Sequence, residues 1–143
     1  MLFLPTPLAH LIRAEGEKTY PFECCGLILG KLEGFNGNRK CHKIIPLNNT
    51  REGEDKLRRF VIEPLDFLRA EKTALAAGLE VLGIYHSHPD HPAYPSQYDL
   101  ENALPFYSYI ICSVISGKAT ELNSYLLSED RLSFTTEPIS FIA

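Results

Sequence analysis

Apolar residues recur along this chain at two different periods, and each change of period marks the boundary of an element. From Thr6, read as an N-cap with Pro7 at the first helical position, Leu8, Leu11 and Ile12 fall on one helical face before a charged stretch ends the helix near Lys18. The run Cys25 to Leu32 (C-G-L-I-L-G-K-L) predicts a strand, the Gly34 to Asn38 cluster a turn, and Cys41 to Leu47 the hairpin partner. The polar stretch Asn48 to Lys56 reads as a loop, and Arg59 to Ile62 as a strand. Pro64 opens a second helix that runs to about Ala77 and stops at Gly78. Glu80 to Ser87 follows as a central strand, and a short helix spans about Ser96 to Ala103. Strands at Tyr107 to Ser116, Glu121 to Leu127 and Arg131 to Thr136 complete the chain.

Strands outnumber helices, and hairpins alternate with crossovers, so the pattern predicts a mixed α/β domain whose sheet carries parallel and antiparallel pairs. There is no internal repeat, and 143 residues suit one domain, 1–143, able to bury roughly two-thirds of its unfolded surface. A composition of 45% hydrophobic and 22% charged residues excludes disorder, collagen-like repeats and a disulfide-stapled mini-protein. The formal charge, 14 minus 18 or -4, comes with no Lys/Arg-rich run, which disfavours nucleic acid and anionic membranes as partners. No stretch approaches the roughly 18 to 20 apolar residues that span a bilayer. Met1 to Pro7 is apolar but broken by Pro5 and Pro7, without the basic start and small-residue cleavage site of a signal peptide. Cys24 and Cys25 are adjacent, Cys41 and Cys112 are isolated, and no C-x-x-C pair is present. They read as reduced thiols, small buried hydrophobes of a cytoplasmic protein.

The segment Val81 to Ala103 carries the chemistry. His86 and His88 stand two apart at the end of an apolar strand, so alternation sends both imidazoles to one face. Asp99 follows eleven residues after His88, beyond a loop stiffened by Pro89, Pro92 and Pro95 that can return a carboxylate to the histidines. Two histidines and an aspartate match a catalytic zinc site, in which three protein ligands leave the fourth position to water. Plainer readings remain open at this point. An H-x-H pair on a strand also occurs as packed or surface histidine, and Ser96-x-x-Asp99 is a capping-box signature that explains both residues without catalysis. His91 as a fourth ligand would make the site structural. A zinc nucleobase deaminase would need H-x-E with P-C-x-x-C, and the chain has no C-x-x-C.

The run H-S-H-P-D-H-P-A-Y-P-S-Q-Y-D resembles the JAMM (MPN+) metallopeptidase signature, H-x-H, seven residues, Ser, two residues, Asp, with His86, His88, Ser96 and Asp99 at its defining positions. Pro21 to Gly30 (P-F-E-C-C-G-L-I-L-G) is similar to the upstream segment that carries the family's glutamate in bacterial members, and the likeness continues through Arg58 to Pro64 and the closing strands.

The resemblance implies a single mixed-sheet MPN/JAMM domain, cytidine-deaminase-like and flanked by helices. It implies one Zn2+ per chain on His86, His88 and Asp99, lowering the pKa of its bound water towards about 7. Glu23 would be general base and then general acid, and Ser96 would hydrogen-bond the tetrahedral oxyanion. The reaction would be amide or isopeptide hydrolysis. Only the resemblance selects Glu23, since Glu33, Glu63 and Glu80 are otherwise equal candidates and a glutamate before a strand is usually solvated. Ser87 should face away from the ligands, His10 and His42 carry no assigned role, and His91 is weighted as a loop residue. With only seven residues between His88 and Ser96, the chain lacks the insertions of ubiquitin-cleaving eukaryotic members. Compact bacterial members point instead to small ubiquitin-like β-grasp sulfur carriers of the ThiS/MoaD kind, cleaved at the C-terminal Gly-Gly. The alternative is a non-catalytic MPN-fold protein-binding module with a structural or absent metal, in which the triad would normally be degraded.

Overall fold

The strand runs predicted in the middle of the chain pair into one sheet with a helix packed on each face. The computed structural model describes residues 1–49 and 60–143. In chain order the elements are β1 (Leu2–Pro5), α1 (Thr6–Thr19), β2 (Cys25–Glu33), β3 (Asn38–Leu47), α2 (Pro64–Ala76) and β4 (Glu80–Pro89). Then come α3 (Gln97–Asn102), β5 (Ser108–Ile115), β6 (Lys118–Leu127), β7 (Phe134–Glu137) and β8 (Ile139–Ile142). The sheet has the order β7-β6-β5-β4-β2-β3-β1-β8. The pairs β4–β5, β1–β3 and β1–β8 are parallel and the others antiparallel, the mixed sheet that the connections predicted.

β4 lies inside the sheet with Val81 to Pro89 all buried, which is why it reads as a continuous apolar run. On one face α1 buries Ala9 and Ile12 in a cluster with Ile28, Tyr85, Ile110 and Val114. Gly16 brings α1 so close that a Cβ there would lie 3.0 Å from Val114 Cγ2. On the other face α2 sets the small side chains Ala70 and Ala74 against Leu27, Leu29, Val81 and Ile84. Burying one large apolar side chain in such a layer is worth about 1.5–3 kcal/mol, and these two layers hold the central strands in register.

Several expectations need correction. Thr6 is the first helical residue of α1; Pro5 takes the N-cap with no side-chain cap bond, because the chain leaves β1 directly into the helix. Phe60 to Ile62 form no strand and lead instead into Pro64 at the start of α2, while Arg59 and residues 50–56 of the expected loop lie outside the described residues. Gly78 does end α2, at φ +72°. β6 begins at Lys118, since Ser116 and Gly117 (φ +50° and +82°) make the tight turn that brings it back beside β5. β7 begins at Phe134, because Arg131 sits in the preceding turn at φ +63°. β1 and the edge strand β8 escaped pattern reading: each has four residues, and β1, already paired with β3, takes β8 from the opposite end of the chain on its other side. No helix among the described residues is long and apolar enough to cross a membrane.

Candidate metal centre and active site

The site forms where β4 runs on to Pro89, paired with β2 on one side and β5 on the other. Strand alternation turns His86 and His88 to the α2 face and Ser87 to the α1 face, as the period-two reading predicted. The proline loop then returns the first turn of α3 to the same place. His86 Nε2 lies 3.1 Å from His88 Nε2 and 3.3 Å from Asp99 Oδ1, and His88 Nε2 lies 3.1 Å from Asp99 Oδ2. A tetrahedron with metal–ligand bonds of 2.0–2.1 Å has edges of about 3.3 Å, so contacts of 3.1–3.3 Å between these three side chains have the length expected between ligands of one zinc ion, His86 meeting Asp99 Oδ1 and His88 meeting Oδ2. Among the described residues they form the one such group, with ligand atoms all within 4.8 Å of one another. His91 is exposed and stands outside it, which removes the fourth protein ligand that a structural site would require.

The surroundings prepare these side chains to ligate. His88 Nδ1 is 3.0 Å from the Pro92 carbonyl, which can only accept, so the proton sits on Nδ1 and the Nε2 lone pair faces the cluster. The Phe60 ring lies 4.6 Å from the His86 ring and limits its orientation. Burial pushes the His86 pKa down against the pull of Asp99, favouring the neutral ring that a metal needs. Burial would raise Asp99, but the imidazoles and the Ser96 N–H outweigh it and hold the carboxyl well below the usual carboxylate range. Ser96 and Asp99 do form the capping box: Asp99 N donates to Ser96 Oγ at 3.0 Å, and Ser96 N donates to Asp99 Oδ2 at 2.9 Å. The cap uses the serine oxygen as acceptor and leaves its O–H proton free. The capping and functional readings of Ser96 are therefore compatible.

Glu23 reaches the same place through β2. Cys25 pairs with His86, and Ser87 N donates to Cys24 O at 3.2 Å, so the register carries Glu23 to a position across from His88. Glu23 is 3% exposed, and its Oε1 has no hydrogen-bond partner. Glu23, His88 and Ser96 line one cleft of about 280 Å³, walled by Pro89, Pro92 and Tyr94. The competing Glu33, Glu63 and Glu80 line neither this cleft nor the cavity beside His86. Burial, with the Asp99 charge adding to it, pushes the Glu23 pKa from 4.5 up to about 9.

A raised folded-state pKa gives stability that is whole below the unfolded value and is lost as pH climbs through the folded one. The metal-free protein should therefore lose stability between about pH 4.5 and 9, and Glu23→Gln should flatten that slope in thermal melts. An unchanged slope would show that Glu23 ionises normally.

Two supporting residues were not assigned a role in the sequence. Asn49 Nδ2 donates to Glu23 O at 3.2 Å while its Oδ1 accepts from Val61 N at 3.1 Å, tying the segment that leads into β2 to the segment before α2. Ser87 accepts from Cys24 N at 2.8 Å and fixes the backbone next to Glu23. Neither contact has a spacing signal, since the partners are 26 and 63 residues apart. All four cysteines are free and buried, and burial raises the thiols of Cys24 and Cys25 to about 12 and to still higher values, so they pack as small hydrophobes.

Residues 5–128 match the family model described as prokaryotic homologs of the JAB domain. A Thermus thermophilus protein named as a probable TtuB-protein conjugate cleaving protease is 34% identical over 111 residues, covering 78% of this chain and 69% of that one. A CysO-cysteine peptidase of Mycobacterium tuberculosis is 27% identical over 143 residues, covering 99% and 92%. Among solved structures, a protein from Desulfitobacterium hafniense superposes with a TM-score of 0.85 at 30% identity, covering 99% of this chain and 93% of that one. A JAB1/MPN domain protein from Archaeoglobus fulgidus gives a TM-score of 0.59 at 19% identity with both chains fully covered, a likeness of fold alone. The expected MPN-type mixed sheet with flanking helices is borne out. Family model and fold agree over most of its length: the chain belongs to the prokaryotic homologs of the JAB domain.

Proposed function

We propose that this protein is a JAMM-type zinc hydrolase that cleaves an amide or isopeptide bond at the C-terminal Gly-Gly of a small ubiquitin-like sulfur-carrier protein. The observation that carries the reading is the convergence of His86, His88 and Asp99, whose ligand atoms lie within 4.8 Å of one another, with a buried glutamate oxygen that has no hydrogen-bond partner in the adjoining cleft. The substrate class rests on relatives named for cleaving TtuB conjugates and for CysO-cysteine peptidase activity. The proposed unit is one domain over residues 1–143, and four unpaired thiols favour the cytoplasm.

A zinc ion held by His86, His88 and Asp99 would supply Lewis acidity, polarising the scissile carbonyl and making water nucleophilic near neutral pH. The chain's own residues do the rest. The Glu23 carboxylate, in the cleft it shares with His88 and Ser96, takes a proton from the attacking water and returns it to the departing amine. The Ser96 O–H donates to the carbonyl oxygen as negative charge builds there, while the cap bond from Asp99 N keeps the hydroxyl in place. Asn49 and Ser87 hold the two polar ends of the Glu23–Cys24 peptide group, fixing the backbone from which the glutamate side chain projects.

Ser96→Ala is expected to lower kcat by about 10²–10³ through the lost oxyanion donor and to cost about 1 kcal/mol of stability through the lost cap. Ser96→Thr retains both groups and should recover most of each. A kcat for Ser96→Ala equal to wild type would reduce the serine to a helix cap. The functional reading itself is tested by incubating the zinc-loaded protein with a carrier protein extended beyond its Gly-Gly and following the mass. Cleavage after Gly-Gly that stops with chelator and returns with zinc is the expected result. An intact substrate with loaded protein would instead favour the protein-binding module.

A further inference from the structure

Two cavities adjoin the His86–His88–Asp99 cluster, and their walls differ in chemistry. The smaller is the Glu23, His88 and Ser96 cleft. The larger, about 480 Å³, has His86 and Asp99 in its wall, and the rest is mainly aromatic and aliphatic, including Phe60, Phe67, Tyr98 and Tyr107. Glu23 is absent from that wall, and among the described residues Asp99, already engaged with the histidines, is the one acidic or basic side chain in it apart from the His86 ring. The Tyr109 hydroxyl accepts from Leu104 N at 2.7 Å, so one of the cavity's few polar groups is also engaged.

This difference gives the substrate a direction, if the functional reading above holds. Glu23 must hand its proton to the departing amine, so the amine side of the scissile bond lies in the Glu23 cleft. The acyl side then crosses the cluster towards the aromatic cavity. Two glycines have no side chains to fill it, and in extended conformation they carry the chain only about 7 Å. A space of 480 Å³ is roughly 8 Å across, so the first side chain that can occupy it belongs to the residue just before the Gly-Gly pair.

We propose that the Phe60–Phe67–Tyr107 cavity is an acyl-side specificity pocket that takes an apolar or aromatic side chain immediately before the Gly-Gly and rejects a charged one. Among the described residues the wall offers a charge no free partner in exchange for its lost water, whereas an apolar side chain gains burial. Discrimination by an apolar pocket of this kind is about ten- to two-hundred-fold.

The test uses zinc-loaded protein and acetylated X-Gly-Gly-Ala peptides with X as Phe, Leu, Lys or Asp. The expected kcat/KM for Phe and Leu exceeds that for Lys and Asp at least about tenfold. Leu104 lies in the cavity wall and is 48% exposed, so Leu104→Lys should fold normally, weaken the Phe preference and bring Asp towards parity. Binding is read separately by titrating the acyl product, acetyl-Phe-Gly-Gly, into ¹⁵N-labelled protein. Saturable shifts at the Ile84, Asn102 and Leu104 amides are expected, and weaker ones with acetyl-Asp-Gly-Gly. Equal kcat/KM for all four peptides would overturn the pocket and leave the hydrolase reading standing. If no peptide is cleaved, the carrier-protein assay decides the hydrolase reading, and the titration still decides the pocket: Phe-selective shifts uphold it, and their absence overturns it.

Discussion

Glu23→Ala is expected to keep the fold and the metal-binding cluster while turnover falls by about 10²–10⁴-fold, the range for loss of a positioned general acid–base. Glu23 is outside the ligand group, and the metal should remain at its wild-type content. The carboxyl is buried without a partner for Oε1, so its removal breaks no hydrogen bond of that oxygen and relieves the desolvation that raises its pKa. Thermal stability of the metal-free variant at neutral pH should therefore hold or rise. The loss should fall on kcat with KM little changed, because the group acts on protons in flight. Steady-state kinetics on a carrier conjugate, with zinc content and melting temperature measured on the same samples, checks all three. Full activity in the variant would remove Glu23 from the mechanism.

His88→Ala should have a broader effect, abolishing both metal binding and hydrolysis. Its Nε2 lies 3.1 Å from the other two ligand groups, and only His86 and Asp99 would remain. The substitution also removes the donor to the Pro92 carbonyl, a contact that anchors the loop leading to Ser96. Zinc per chain should fall to near zero, with hydrolysis undetectable. Undiminished zinc in the variant would mean that the ligand set is wrong.

What the sequence reveals of this site follows the range of each contact. His86 and His88 are two apart on a strong strand pattern, and the alternation that places both on one face is a local property. Asp99 is legible as a helix cap from its own neighbourhood, but its return to the histidines needs the geometry of the proline loop. Glu23 is harder still. It meets His88 through pairing of β2 with β4, across a sequence separation that no period records, and family resemblance alone singled it out from the other glutamates. Asn49 joins two loops and had no signal. The aromatic cavity is built from side chains between Phe60 and Tyr109 that share no spacing.

The fold divides in the same way. β2, β4 and β5 carry the apolar runs of buried strands and were legible, whereas β1 and β8 owe their pairing to the two ends of the chain meeting at one side of the sheet. Thr6 has the composition of a cap, yet its backbone is already helical, because β1 hands over to α1 without a loop. Phe60 to Ile62 have strand-forming side chains, but they face a cavity and precede the proline that starts α2. Tertiary contacts overrode local preference at these positions.

The most direct test of the central claim is zinc content, measured by elemental analysis on protein purified without chelator, beside Asp99→Ala. The account predicts about one zinc per chain in the wild-type protein, from a three-ligand site, and its loss in the variant. No zinc in the wild-type protein, and none taken up when it is added, would contradict the account and leave Ser96 and Asp99 as a helix cap.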